Sequence, residues 1–204
     1  YLNLYKISFW TVKIMRDVIK KNFSNHLDVI NKVLESNIDS IDLFGDLLTT
    51  CLENDGTIFW CGNGGSASDS QHIAAELVGR FKKDRRALRS IALTTDTSIL
   101  TSVGNDYGFK EIFSRQLEAL GSSGDILVGI STSGNSENII KSFETAKNLG
   151  ITTLALMGKN GGKLKGISDH SLTVPSESTA RIQEAHILIG HILCDLIEKR
   201  LQLV

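Results

Sequence analysis

The sequence contains a single proline, Pro175, among its 204 residues. Proline-rich linkers are therefore excluded, and helices and strands should account for most of the chain. It also lacks any uncharged apolar run of 18 residues, so we expect no transmembrane helix. The three cysteines, Cys51, Cys61 and Cys194, have neither metal-type nor disulfide-type spacing. Such scattered thiols fit structural residues in a reducing compartment, and we expect the protein to be cytoplasmic.

An excess of either charge is also missing, since 22 Lys and Arg oppose 23 Asp and Glu. This balance gives no support for broad binding to nucleic acid or to an acidic membrane surface. The short basic run Arg80–Arg89 is predicted to be a solvated face rather than a phosphate or partner site. With 41% hydrophobic residues, the chain is long enough to bury a substantial core.

The first 14 residues are aromatic and apolar, and Met15 follows them. We interpret Met15 as the natural start, residues 1–14 as a non-native or upstream N-terminal segment, and residues 15–204 as a single domain with N-terminal helices. The alternative is that residues 1–14 are a genuine extension of the native protein. A signal peptide is disfavoured because Lys6 and Lys13 interrupt the apolar stretch and no small-residue cleavage site follows.

Apolar periodicity divides the rest of the chain into helices and strands. Two helical patterns come first, at about Arg16–Ser36 and Ile38–Asn54. Continuous apolar runs then predict strands at Thr57–Cys61, Ser90–Leu93, Asp125–Ile130, Thr152–Met157 and His170–Val174. Helical patterns alternate with them near Ser68–Gly79, Ser98–Val103, Lys110–Leu120, Glu137–Asn148 and Ala180–Leu201. Strands buried on both faces and alternating with helices indicate an α/β fold, a doubly wound five-stranded parallel sheet with an N-terminal helical arm.

Ligands of such folds bind beyond the carboxyl ends of the strands. The stretch "GISTSGNSENII", Gly129–Ile140, follows one predicted strand and opens a helix. Four hydroxyls lie within six residues, those of Ser131, Thr132, Ser133 and Ser136. A helix N-terminus offers free N–H groups and partial positive charge, so the segment predicts a phosphate site rather than simple helix capping.

A second loop, "CGNGGS", follows the strand that ends at Cys61. It matches neither the P-loop nor the dinucleotide-binding fingerprint, which disfavours an ATP or NAD site. The helix after it carries His72 and Glu76, which are one turn apart and share a face. These two side chains could begin a metal site, although lone histidines and glutamates on helices are more often structural.

The late helix carries Gln183, His186 and His191. Gln183 and His191 are eight residues apart, roughly 12 Å along a helix. Two such side chains share one ion only if both reach toward it, or if the ligands come from different chains.

Four segments together resemble the phosphoheptose (sedoheptulose 7-phosphate) isomerase family of the sugar isomerase (SIS) fold. They are "CGNGGSASDSQHIAAELVGRF", "SVGNDYGFKEIFSRQLEALG", "DILVGISTSGNSENII" and "RIQEAHILIGHILCDLIE". The resemblance runs from roughly Met15 to Leu201, which is nearly the whole chain. The resemblance implies conversion of sedoheptulose 7-phosphate to D-glycero-D-manno-heptose 7-phosphate. That is the first step toward the ADP-heptose of bacterial lipopolysaccharide or capsule.

The resemblance also implies roles for residues and partners. Glu76 and His191 would transfer protons as the catalytic pair, and Zn²⁺, one per subunit, would be held by His72, Glu76, Gln183 and His191. The substrate would be bound by Asn63, Gly64, Gly65, Glu76, Asn105, Asp106, Ser131, Thr132, Ser133, Ser136 and Gln183. The protein would be a homotetramer with its sites at subunit interfaces.

Two other functions stay open at the level of sequence. One is a non-catalytic SIS scaffold that binds a replication initiator protein; the other is a protein that isomerises or senses a different sugar phosphate. The presence of both Glu76 and His191 favours the enzyme over the scaffold. A comparison of substrates would distinguish the heptose phosphate isomerase from a protein that acts on a different sugar phosphate.

Overall fold

A computed structural model describes residues 9–203 of the chain, with side chains described from residue 13 onward. Its α-helices are α1 Phe9–Ser36, α2 Ile38–Glu53, α3 Gly65–Val78, α4 Thr97–Asp106, α5 Ser114–Leu120, α6 Glu137–Asn148, α7 Leu164–Ile167 and α8 Thr179–Arg200. A single 3₁₀ turn, Phe109–Glu111, precedes α5. The strands are β1 Ile58–Gly62, β2 Ser90–Ala92, β3 Ile126–Ser131, β4 Thr152–Gly158 and β5 His170–Val174.

The five strands form one sheet in the order β2-β1-β3-β4-β5, and every neighbouring pair is parallel. The predicted doubly wound five-stranded sheet is therefore confirmed. The chain moves outward from β1 to β2 and then returns to the opposite side of β1 as β3. This reversal makes the carboxyl ends of β1 and β3 a topological switch point, where a crevice for ligands opens.

Helices cover the sheet on both faces, and alternate strand residues point to different layers. Trp60 and Val128 belong to a core shared with α2, α3 and α8, whereas Phe59 and Leu127 pack with α5 and α6. Because the central strands are buried on both faces, they read as continuous apolar runs in the sequence. At the sheet edge, Ile91 of β2 is exposed.

Helix α6 and strand β5 have the predicted bounds, but the segment predicted as one helix over Lys110–Leu120 is interrupted. The 3₁₀ turn ends at Glu111, and α5 begins three residues later. The hydroxyl of Ser114 donates to the carbonyl and to the carboxylate of Glu111, at 3.1 and 2.6 Å. These local bonds favour a turn over a continuous helix.

Two further differences concern short or terminal segments. Helix α7 has four residues, too few for a 3.6-residue pattern to reveal it. Helix α1 begins at Phe9 and therefore runs across the boundary proposed at Met15; residues 1–8 of the proposed N-terminal segment lie outside the described residues. Within residues 9–203, no helix has both the length and the apolar character that a membrane span requires.

Candidate active site

The two loops identified in the sequence meet at the switch point. The amide of Asn63, just beyond β1, and the amide of Asn138, in the first turn of α6, exchange two hydrogen bonds of 2.9 and 2.8 Å. A small pocket of about 180 Å³ opens beside Asn63, lined by Gly62, Asn63, Gly64, Ala67, Thr94, Leu100, Phe109, Ile112 and Phe113. The predicted first-loop residues therefore border a small crevice next to the second loop.

The first loop depends on glycine at two positions. Gly64 precedes α3 with φ of 55°, a conformation that costs other residues free energy. A Cβ on Gly65 would lie 2.5 Å from Nε2 of Gln183, so that α8 side chain rests directly on the loop backbone. Gln183 is thereby placed with the predicted sugar-contacting residues of the same chain.

The second loop runs from the end of β3 into α6, as the sequence predicts. Ser136 occupies the N-cap position, yet its side chain makes no capping hydrogen bond. Its Oγ instead lies 3.1 Å from Oγ of Ser131, and Oγ of Ser133 accepts from the amide of Asn135 at 3.2 Å. Because the Ser136 hydroxyl does not cap the helix, the first amides of α6 stay available for an anion.

A second cluster lies further along α3, where His72 and Glu76 meet His191 of α8. Nε2 of His72 lies 2.9 Å from Nε2 of His191 and 3.3 Å from Oε1 of Glu76. One potential ligand atom of each residue lies within 4.8 Å of the other two. Two imidazoles and a carboxylate are a donor set that zinc prefers, so these residues fit the predicted ion.

Gln183 does not join this cluster within one chain. Helices α3 and α8 lie side by side, with Gln183 beside Gly65 and Gly190 beside Ile73. His72 follows Gly65 by seven residues, which is roughly 10 Å along the helix. The structure thus separates Gln183 from the other three predicted ligands of the same chain.

Asn105 and Asp106 lie exposed at the end of α4. The amide of Asn105 donates to the Asp106 carboxylate at 2.7 Å. Among the described residues, no hydrogen bond connects this pair to the other predicted site residues.

The prediction of a solvated face for the basic run Arg80–Arg89 is wrong at Arg85. The Arg85 side chain is buried and pairs with buried Glu198 of α8, with Nε 2.8 Å from Oε1. Burial raises the pKa of the Glu198 carboxyl, but hydrogen bonds from the Phe81 amide, from Arg85 and from the Lys82 amide lower it by more. The net effect is a pKa below the ordinary range, so the carboxylate is charged at neutral pH. A one-dimensional charge pattern cannot show which arginine turns inward.

Asp69, one turn before His72 on α3, was also missed by the sequence reasoning. Its Oδ2 is buried and has no hydrogen-bond partner among the described residues. Burial raises the pKa of this carboxyl to about 6, and the neighbouring His72 lowers it by less. A lone aspartate in "SASDSQH" carries no pattern that would have revealed this environment.

Cys194 lies beside the cluster but is not a reactive thiol. Burial, with the carboxylates of Glu76 and Glu198, raises its pKa to about 12. The thiol is therefore neutral at physiological pH and acts as a small apolar side chain.

His186 is a core residue rather than a site residue. Its Nε2 donates to the carbonyl of Met157 at 3.0 Å, while its Nδ1 is buried without a partner among the described residues. Burial lowers the pKa of His186 to about 4, although the bond to Met157 raises it. The unfolded chain takes up this proton below about pH 6.5, but the folded chain does so only near pH 4.

We therefore expect His186 to make the folded state less stable as pH falls from about 6.5 to 4, by on the order of 3 kcal/mol. His186→Gln keeps a donor for the Met157 carbonyl but does not titrate. Urea unfolding of both proteins across this range should show a shallower loss of stability in the variant. Parallel pH curves for the two proteins would contradict this assignment.

Comparison with known proteins places this architecture in a class. Residues 22–158 match the SIS domain family. The five-stranded parallel sheet, with both loops at its switch point, is the fold expected from the sequence resemblance.

Closer relatives specify the family. The chain is 56% identical over 183 residues to a phosphoheptose isomerase from Helicobacter pylori strain P12, covering 90% of this chain and 95% of that protein. The structure of phosphoheptose isomerase from Neisseria gonorrhoeae aligns with a TM-score of 0.87 and 44% identity, covering 91% of this chain and 99% of that one. A phosphoheptose isomerase from Francisella tularensis aligns with a TM-score of 0.88 and 40% identity, over 91% and 98% of the two chains. This chain belongs to the phosphoheptose isomerase family.

Proposed function

We propose that the chain is an aldose–ketose isomerase that converts sedoheptulose 7-phosphate to D-glycero-D-manno-heptose 7-phosphate. The observation that carries this proposal is the convergence of Glu76 and His191, from helices α3 and α8, in one partly exposed cluster. Isomerisation needs a base that moves a proton between C1 and C2 and a second group that serves the oxygens. The product would supply heptose for lipopolysaccharide or capsule.

Glu76 is the base in this proposal. Its carboxylate takes the proton from one carbon of the substrate and returns it to the adjacent carbon through an enediol. His191 donates to and accepts from the oxygens on C1 and C2. The hydroxyls of the second loop and the amides that open α6 hold the phosphate, which fixes the distant reacting carbons in place.

A zinc ion held by His72, Glu76 and His191 would supply Lewis acidity toward the carbonyl oxygen. Zinc bound to Glu76 would compete for the lone pair that the base needs, so ligation and proton transfer draw on the same carboxylate. Comparison of metal-stripped with zinc-loaded protein, by calorimetry for binding and by turnover for activity, separates the two roles. His72→Ala should weaken zinc binding in that comparison.

The direct test follows sedoheptulose 7-phosphate by NMR and looks for the aldoheptose product, with a hexose and a pentose phosphate as competing substrates. Appearance of the heptose product supports the proposal. Turnover of only another sugar phosphate would reassign the substrate. No turnover with or without zinc would overturn the proposal and return attention to the scaffold function, which none of the relatives described above supports.

The distances within one chain favour a site shared between copies. Glu76 follows Gly65 by eleven residues, so it lies roughly 16 Å further along α3 than the first loop. An extended seven-carbon sugar phosphate has eight bonds from phosphorus to C1 and spans roughly 10 Å, because each bond of a zigzag chain advances it by about 1.2 Å. One substrate molecule therefore bridges the second loop and Glu76 most readily when these belong to different subunits.

In such a site, one copy contributes His72, Glu76 and His191, and a neighbouring copy contributes the second loop. Gln183 lies beside the first loop, at the phosphate-binding end, so the neighbouring copy would also supply this fourth ligand. The proposal thus includes a homo-oligomer, a tetramer in view of the family resemblance, in which each site spans an interface.

Mixing two inactive variants should restore activity if the site is shared. We expect Glu76→Gln and Ser133→Ala/Ser136→Ala each to be nearly inactive alone, because each lacks one half of every site. Co-expressed subunits that assemble at random should recover about one quarter of the native sites. Turnover of the purified mixed oligomer is the measurement, and a mixture as inactive as its components would place both halves in one chain.

The surface for this assembly is an apolar stripe on α1. Met15, Ile19, Phe23 and Leu27 recur every four residues and are all more than half exposed. Their row continues toward a groove of about 320 Å³ between α1, α2 and α8, which is lined largely by aliphatic side chains. Continuous exposed apolar surface of this kind marks an interaction site.

We expect Phe23→Asp/Leu27→Asp to reduce the mass measured by light scattering, because two buried charges at an apolar interface are costly. Asn25→Asp, an exposed position about 160° around the same helix from both Phe23 and Leu27, is the matched control and should keep the parent mass. An unchanged mass for the double variant would show that this stripe is not the assembly surface. Loss of turnover together with mass would further support shared sites.

We also place the protein in the cytoplasm. The three cysteines are free and buried, as expected for a reducing compartment. No nucleic-acid or membrane partner is proposed, since the sequence has nearly balanced charge.

A further inference from the structure

The ion pair between Arg85 and Glu198 is unusual among the ion pairs of the described residues. It is the one pair in this part of the chain whose two side chains are both almost completely buried, at 2% and 0% exposure. Removing two charges from water costs about as much free energy as their attraction returns. Stability alone is therefore a weak reason for this pair, and its other contacts indicate what it does.

Glu198 holds the start of the loop that follows α3. Its carboxylate accepts from the backbone amides of Phe81 and Lys82, at 3.0 and 3.2 Å. These bonds fix Phe81 so that its ring stacks on the imidazole of His191, with centroids 5.6 Å apart and planes 17° from parallel. The ring of Phe81 thus packs against one face of His191, the proposed proton-transfer residue.

Arg85 holds the end of α3. Its guanidinium donates to the carbonyl of Glu76 at 2.9 Å and to the carbonyl of Leu77 at 2.8 Å. The same group donates to Glu198. One buried pair therefore links the backbone of Glu76 to the backbone of Phe81, whose ring stacks on His191.

We propose that Arg85 and Glu198 are positioning residues, which fix Glu76 through its backbone and His191 through the ring of Phe81. The inference rests on the proposed function of this site. Neither residue of the pair touches the reacting atoms. Catalytic groups must be held to within about 0.5 Å of their productive geometry, and a displacement of 1 Å can cost about 100-fold in rate.

Phe81→Leu is the most informative variant, because it removes the ring stack and leaves the buried ion pair in place. Glu198→Gln and Arg85→Lys weaken the pair itself, since neither restores the charged fork between the two groups. Lys83→Ala changes an exposed side chain of the same loop and is the matched control. Each protein is assayed with sedoheptulose 7-phosphate, and the His191 imidazole signals are recorded by NMR.

We expect the three variants to lower kcat by about tenfold or more with KM within about twofold, because phosphate binding is untouched. The His191 signals should shift in Glu198→Gln and Arg85→Lys, which keep the Phe81 ring, and Lys83→Ala should match the parent protein. The double variant Phe81→Leu/Glu198→Gln should lose less activity than the sum of its single variants, because the effect of Glu198 on His191 passes through Phe81.

A purely structural pair would give a different pattern in Glu198→Gln and Arg85→Lys, with lower thermal stability, unchanged kcat per folded molecule and unmoved His191 signals, which would overturn the inference. Additive losses in the double variant would also overturn it. Where Glu198→Gln does not fold, Arg85→Lys tests the pair, and the kcat of Phe81→Leu tests the ring stack. If the parent protein does not isomerise the sugar, the proposed function fails, and the His191 signals of Glu198→Gln and Arg85→Lys decide whether the pair positions that ring.

Discussion

Glu76→Gln is expected to lower the rate of heptose phosphate isomerisation by about 10²- to 10⁴-fold, the range that general acid–base groups contribute. The amide has nearly the same shape as the carboxylate but cannot accept the proton that must leave carbon. The fold should persist, because the Glu76 side chain is partly exposed and its carbonyl still accepts from Arg85. Turnover by NMR, with circular dichroism for the fold, measures both quantities.

Exchange of substrate protons with solvent deuterium refines this test. In the parent protein, the proton removed from C1 or C2 should exchange with deuterium from the solvent, and in Glu76→Gln this exchange should disappear. Glu144→Gln, which alters an exposed carboxylate on α6, is the control and should keep both activities. Retained exchange and turnover in Glu76→Gln would assign the base to another group.

Most of the fold could be predicted from the sequence because the patterns that mark its strands and helices are local. The central strands β1, β3 and β4 are buried on both faces, so each appears as a continuous apolar run. The bounds of α6 were predicted correctly because Ser136 and Glu137 mark a helix start. The 3₁₀ turn before α5 was missed since it depends on side-chain bonds of Ser114 that no periodicity records.

The candidate site was only partly predictable. His72 and Glu76 share a helical face, and their spacing could be read directly, but the approach of His191 depends on how α8 packs against α3. The separation of Gln183 from these three residues likewise depends on that packing. The inward turn of Arg85 was unpredictable, because its partner Glu198 lies 113 residues further along the chain.

Gly134→Ala is expected to disrupt the phosphate-binding loop more severely than removal of any single hydroxyl there. Gly134 has φ of 65°, and a Cβ on it would lie within 1.9 Å of the carbonyl oxygen of Gly161. That contact is with backbone, so no side-chain rotation relieves it. The turn that follows β4 is itself bound to the loop, since the amide of Leu164 donates to the Gly134 carbonyl at 3.0 Å.

Gly124→Ala separates this contact from the general cost of a left-handed residue. Gly124 has φ of 95°, but nothing lies within 4 Å of a Cβ built there. We expect it to lose about 1 kcal/mol of stability with KM unchanged, whereas Gly134→Ala should lose roughly 3 kcal/mol and raise KM at least about tenfold. Urea unfolding and KM for the heptose phosphate measure both effects. Equal losses in the two variants would mean that backbone conformation dominates, and that the close approach of Gly161 does not hold the loop in its binding shape.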